Sequence, residues 1–324
     1  MRTTEIIFAE PQFSEMLPKM IRKWAFKNER KLKATKILIL DLAFPRDQKK
    51  PFFAEWLRQE ILIFKYLDHH PHFFWEKLKS DQRFSLFPRE KAQACPEIVD
   101  FKIGWNFDLI VTHIDFDGLM SAAKALGFYY AELENDARIF DNRLENIASE
   151  KGCIIEESIK GLDFFRQDKM LPSDAEKMQL LRRELFYNIC DFIKNSAQKS
   201  KLNFYLQRYK DSEQVGEELY QKAKIHTSGL IIVAEETRPF DRPKWLSRLS
   251  RENRERCGIV FSPFTDLGKK MMAVSSSRPD RDNFPLLFGQ KGGMATVTAV
   301  PRNFRNIRKL LRYCYKVSAG SKNN

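Results

Sequence analysis

The octapeptide KYLDHHPH, residues 65–72, holds three of the chain's five histidines beside one aspartate, and a fourth, His113, stands in VTHIDFDG. Carboxylates and imidazoles grouped without cysteine suit hard ions such as Mn2+ or Mg2+ better than a structural zinc. Two such ions about 3.5–4 Å apart share a bridging carboxylate, activate a water, and clamp the attacking and leaving oxygens of a phosphoryl transfer. Asp115 and Asp117, two positions apart and followed by Gly118, can face different ions from one tight turn. Gly118 would let the backbone approach closely there. A DxDG turn by itself is weak evidence, because such turns recur without metal. Asp41 or Asp141 alone reads as a cap or turn residue. His72 and His226 have no acidic company of this kind and read as surface or packing residues.

For these residues to meet, the chain must bring distant positions together. Four short apolar runs end in polar chemistry: KILIL before Asp41, ILIFKYL before Asp68, FDLIVT before His113 and ARIF before Asp141. Short β-rich runs separated by helical patterns such as FFAEWLRQE and GLMSAAKAL predict parallel strands joined by crossover helices. In such an α/β sheet the carboxyl ends of the strands open onto one crevice, where ligands bind. Asp41, Asp68, His69, His70, His113, Asp115, Asp117 and Asp141 would then converge.

Residues 1–173 are expected to form this mostly parallel α/β domain. A charged helical connector spans 174–225. A smaller α/β domain covers 226–318, with strands at GLIIVAEE, RCGIVFSP and KKMMAVSSS, and 319–324 form a tail. The 324-residue chain is long enough for two cores. Its five widely spaced cysteines include no CxxC pair, which fits a reducing, cytoplasmic setting. No apolar run is long enough to span a membrane. Net charge is +13, and residues 226–324 carry 19 Lys/Arg against 8 Asp/Glu. Such a surface attracts phosphate-bearing ligands or nucleic acid. Within RNFRNIRKLLRYCYK, Arg305, Arg308, Lys309 and Arg312 share one helical side, which reads first as a solvated face.

LDHH at 67–70 and THIDFDG at 112–118 resemble signatures of the DHH phosphoesterase superfamily. That superfamily includes RecJ-type exonucleases, oligoribonuclease/phosphoadenosine phosphatase enzymes, cyclic dinucleotide phosphodiesterases and manganese pyrophosphatases. SSSRPDRDNFPLLFGQKGGMATVTAV resembles the Arg-bearing strand and glycine-rich turn of the family's DHHA1 substrate-binding domain. The motif order differs, since family members usually present DxDG before DHH, and a circularly permuted catalytic domain is the simplest account.

The resemblance implies that His113 and Asp115 bind one Mn2+ ion (or Mg2+) and that Asp117, His69 and Asp141 bind the other, with Asp41 bridging. Asp136 competes with Asp141 for the last ligand position. His70 would contact the scissile phosphate or assist the leaving group, and Asp68 would orient a neighbouring histidine. In the smaller domain Arg278 would grip a phosphate, and Gly292 and Gly293 would offer backbone N–H groups, although Met294 stands where the family usually has histidine. The expected activity is hydrolysis of phosphodiester bonds in nucleotides or short single-stranded nucleic acid. The rivals are a non-catalytic subunit that binds nucleic acid or a partner, and a phosphodiesterase of small signalling nucleotides. A homodimer or a protein partner stays open.

Overall fold

The computed structural model describes residues 4–9, 16–42, 52–70, 75–78, 80–88, 90–129, 131–142, 147–169, 175–225, 230–232, 238–241, 244–245, 248, 252, 259–266, 269–276, 287–289, 297–301 and 303–320. Arg278, Gly292, Gly293, Met294, His72 and His226 lie outside them, as does most of the helix expected at PKWLSRLSRENRER. The chain divides into two compact units, Met1–Gln207 and Arg208–Asn324. The division falls inside the helical span 174–225.

Unit 1 is an α/β fold. Its five strands are β1 (Glu5–Ala9), β2 (Lys36–Leu40), β3 (Ile63–Asp68), β4 (Phe84–Leu86) and β5 (Leu109–His113). They lie in the order β1-β5-β2-β3-β4, and every pairing is parallel. Successive strand side chains point to opposite faces, and both faces here are apolar. Ile6, Phe8, Leu38, Leu40 and Ile110 enter one core. Ile7, Ala9, Ile37, Ile39, Leu109 and Val111 enter the other. The near-continuous apolar runs of these strands follow from that two-sided burial.

Helices α1 (Leu17–Lys27) and α2 (Phe52–Glu60) cover the second face, with Leu17, Ile21, Trp24, Phe53 and Leu57 buried there. Between β3 and β4 lies the short α3 (Trp75–Leu78). The first face is covered by α4 (Phe116–Ala125), α5 (Ala131–Asn142), α6 (Glu150–Lys169) and α7 (Ala175–Lys194). Helix α7 is tied to β1: the Gln179 side chain donates to Phe8 O and accepts from Phe8 N–H, and Arg183 Nε donates to Ile6 O.

The sequence reading differs from the structure at ARIF, which is helical within α5 and not a strand. Leu133, Ala137 and Phe140 recur at the three- and four-residue spacing of one helix face, with Leu133 and Ala137 fully buried. That period outweighs the strand preference of a four-residue apolar run. Asp141 therefore comes from the last turn of a helix.

Unit 2 contains most of α8 (Asn203–Lys222) and a mixed sheet in the order β10-β9-β8-β7-β6. Its strands are β6 (Lys224–Ile225), β7 (Leu230–Ile232), β8 (Ile259–Asp266), β9 (Lys269–Ser276) and β10 (Val297–Pro301). The last helix, α9 (Phe304–Gly320), buries Leu310 with Met272, Val274 and Val300 and leaves Arg305, Arg308, Lys309 and Arg312 exposed. Among the described residues no helix is long and apolar enough to cross a membrane.

Within unit 1, α6 meets the start of α8 at a glycine. A Cβ built on Gly161 would lie 1.9 Å from the Tyr205 carbonyl oxygen, a backbone atom that cannot swing aside. Gly161→Ala is expected to destabilise the protein by about 1–3 kcal/mol through overpacking, read as a lower urea midpoint. An unchanged midpoint would contradict this close approach.

Candidate metal centre

Chain direction through the sheet decides where the site lies. From β2 the chain crosses to β3 on one side, whereas β5 flanks β2 on the other. The carboxyl ends of β2 and β5 thus border the crevice of a topological switch point. Leu40 pairs with both Leu67 and Thr112. One residue further on, Asp41, Asp68 and His113 stand at the same level across three adjacent strands. Asp41 leaves β2 with φ 50°, in the left-handed region, and its N–H donates to Leu67 O at 3.0 Å. Among non-glycine residues, Asp and Asn tolerate that conformation best.

The DHH turn is organised by Asp68. Its Oδ1 accepts from His69 N–H at 2.8 Å and from His70 N–H at 3.3 Å, and it lies 2.8 Å from His70 Nδ1. His69 turns its Nδ1 towards Ala92 O, 3.3 Å away, and its Nε2 towards Asp117 Oδ2 at 2.9 Å. At the other cluster Asp115 caps α4, its Oδ1 accepting from Gly118 N–H at 2.9 Å, while its Oδ2 lies 2.6 Å from His113 Nδ1. A Cβ on Gly118 would come within 2.6 Å of His113 O and 2.9 Å of Thr112 Oγ1, so the turn needs glycine. Asp117 accepts from Cys95 N–H with both oxygens, at 2.9 and 3.1 Å.

The structure brings all eight nominated residues of unit 1 together. Potential ligand atoms of Asp41, His113 and Asp115 lie within 4.8 Å of one another, and the same holds for His69, Asp117 and Asp141. Asp41 also groups with Asp68, His69 and His70 at this distance. This largely buried cluster of carboxylates and imidazoles can hold metal ions. Asp136 is engaged elsewhere: it accepts from Ser149 N–H at 2.7 Å and Ser149 Oγ at 2.6 Å, at the start of α6. The backbone N–H of Cys95 and the carbonyl of Ala92 are parts of the site that sequence reasoning missed. Backbone groups carry no residue-type signature.

Burial, then the nearby Asp115, raise the Asp41 carboxyl from 3.8 to about 6. Burial works against the His69 imidazolium, but hydrogen bonds to Asp117 and Asp41 prevail and lift it to about 11. His70 rises to about 9, where Asp68 and Asp41 outweigh burial. Asp115 goes the other way, to about 2, because His113 and the Gly118 amide overcome its desolvation. Its side chain is 43% exposed, and those of His113 and His70 are each 23% exposed. Among the described residues the imidazoles reach Asp41 only loosely, with His69 Nε2 and His70 Nδ1 each 3.5 Å from Oδ1. A buried carboxylate so placed costs free energy unless a cation compensates it, so the residues present fit divalent ions.

No family model and no curated protein matches the chain. Among solved structures it is similar to an uncharacterized protein from Helicobacter pylori G27, at 10% identity and TM-score 0.32, over 93% of this chain and 89% of that one. It is also similar to the pGpG-specific phosphodiesterase PggH from Vibrio cholerae, at 12% identity and TM-score 0.40, over 88% and 99% of the respective chains. Both likenesses are distant, and the functional reading rests on the site.

The protonation pattern has a measurable sign. Asp41 binds its proton more tightly in the fold than when unfolded, so the metal-free protein loses stability as pH rises from about 4 to about 6, by an amount on the order of 3 kcal/mol. The contribution of His69 is present below about pH 6.5 and is lost as pH rises towards about 11, which is the same direction. Divalent ions displace those protons, so the gap in Tm between Mn2+ and EDTA should widen from about pH 6 to about pH 9. Asp41→Asn should raise the Tm in EDTA above about pH 6 and remove most of the Mn2+ effect. A gap independent of pH would count against the site.

Proposed function

We propose that the protein is a metal-dependent phosphoesterase of DHH type, with a permuted order of motifs, that hydrolyses phosphodiester bonds in nucleotides or short single-stranded nucleic acid. The observation that carries this reading is Asp41, whose carboxylate is shared between groups of ligand atoms at the crevice. Two Mn2+ ions, or Mg2+, would be held by His113 and Asp115 on one side and by His69, Asp117 and Asp141 on the other, with Asp41 between them. When bound, the pair supplies Lewis acidity that makes a water nucleophilic and offsets charge developing on the phosphoryl oxygens.

The chain's own groups do the positioning. Cys95 N–H and Gly118 N–H hold Asp117 and Asp115 in fixed orientations, so the ligand cage is preorganised by backbone donors. Asp68 holds His70 through Nδ1, which leaves Nε2 to donate to a phosphate oxygen or to the leaving group. The exposed rim of Asp115, His113 and His70 is the side from which a phosphodiester enters. In unit 2, Arg278, Gly292 and Gly293 would contact substrate phosphates.

Hydrolysis of bis-p-nitrophenyl phosphate and of labelled mono-, di- and oligonucleotides with Mn2+ tests the reading. Asp41→Asn and Asp117→Asn should each lower kcat/KM by at least about a hundredfold. His70→Ala should lower kcat by about 10²–10⁴-fold while keeping the Mn2+-induced rise in Tm. Activity that survives Asp115→Ala or Asp117→Ala unchanged would refute the assignment.

A further inference from the structure

Residues that precede the strands of a parallel sheet line the edge opposite its catalytic crevice. In unit 1 that edge carries a feature the proposed chemistry does not use. Phe101 and Trp105, just before β5, are 52% and 59% exposed although both are large aromatics. One ammonium serves both rings: Lys102 Nζ lies 5.1 Å from the Phe101 centroid and 4.7 Å from that of Trp105. Lys102 reaches this position with φ 64°, in the left-handed region that non-glycine residues rarely adopt. The backbone around it is braced, since Lys102 N–H donates to Lys124 O and Trp105 N–H to Lys102 O.

Trp105 is not loosely exposed. Its indole Nε1–H donates to Leu126 O at 3.1 Å, so the ring is tethered although the residue is 59% exposed. The same segment joins a strongly basic stretch. Asp108 accepts from Lys36 N–H at 2.9 Å and pairs with Arg30 at 2.6 Å. Residues 27–36, KNERKLKATK, contain five Lys/Arg and one Glu, and Lys31, Lys33 and Lys36 are exposed.

We propose that this N-terminal edge of the unit 1 sheet is a second binding surface, for single-stranded nucleic acid. Bases stack on Trp105 and Phe101, and the phosphate backbone follows Lys102 and the lysines at 31, 33 and 36. Stacking platforms interleaved with cations are how proteins hold single strands without reading sequence. Charge complementarity selects this occupant over an uncharged protein surface. The indole N–H, already taken by Leu126 O, selects it over a lipid headgroup region, where Trp offers that N–H to the interface. The surface holds a long strand away from the crevice, so it is independent of the metal chemistry.

Fluorescence anisotropy of fluorescein-labelled dT20 at low salt in EDTA, where no cleavage competes, tests the proposal. Trp105→Ala and Phe101→Ala should each weaken binding by about fivefold or more, with Trp105→Phe retaining part of the affinity. Lys102→Glu should weaken binding and lower the slope of log K against log salt by about one. Hydrolysis of bis-p-nitrophenyl phosphate should be unchanged in all four variants, which separates this surface from the crevice. Equal dT20 affinity in the wild type and in the Trp105→Ala and Phe101→Ala variants would overturn the proposal. So would Trp105-dependent binding to phosphatidylserine vesicles without binding to dT20, or dissociation of a dimer by Trp105→Ala without a change in dT20 affinity. Should Trp105→Ala fail to fold, the exposed Lys102→Glu reads the same surface.

Discussion

Carboxylates crowded at the mouth of one crevice are the constraint around which unit 1 is organised. Among the described residues, the positive partners of Asp41, Asp115 and Asp117 are histidines, not Lys or Arg. Burial and mutual repulsion push the Asp41 proton affinity up, and the imidazoles compensate by holding protons of their own. Divalent cations would resolve the same conflict with more charge per site, and the cluster could hold them.

The rest of the unit makes that crowding sustainable. A sheet apolar on both faces buries most of its strand residues, so the acids and imidazoles gather at the strand ends. The order β1-β5-β2-β3-β4 then puts the ends of β5, β2 and β3 side by side. Backbone donors from Cys95 and Gly118 fix two of the carboxylates, and the left-handed turn at Asp41 aims a third. Strain of this kind persists where surrounding structure over-determines it.

The two edges of the sheet carry opposite chemistry. One concentrates acids and imidazoles, and the other presents aromatic rings and lysines. A parallel sheet keeps them apart by its full strand length, so the lysines of one edge do not neutralise the carboxylates of the other. The excess positive charge of residues 226–324 lies in the sequence beyond both.

Much of this was legible before folding. The runs KILIL, ILIFKYL and FDLIVT contain β2 and most of β3 and β5, with Asp41, Asp68 and His113 at their ends, because short apolar runs bounded by helical patterns have few other uses in an α/β chain. Sequence alone determined the α/β class of unit 1 and which side chains could do metal chemistry, since both depend on residue type and local period. It misjudged ARIF, where a helical period over twelve residues overrode a local run, and it chose Asp141 as a ligand with Asp136 still in competition. Only tertiary structure separated those two, by docking Asp136 against Ser149 and bringing Asp141 near His69 and Asp117. Tertiary structure also decided that Cys95 supplies an N–H to Asp117 and that Trp105 is tethered with its ring exposed. Contacts between residues far apart in the chain depend on strand order and helix docking, which no local pattern encodes.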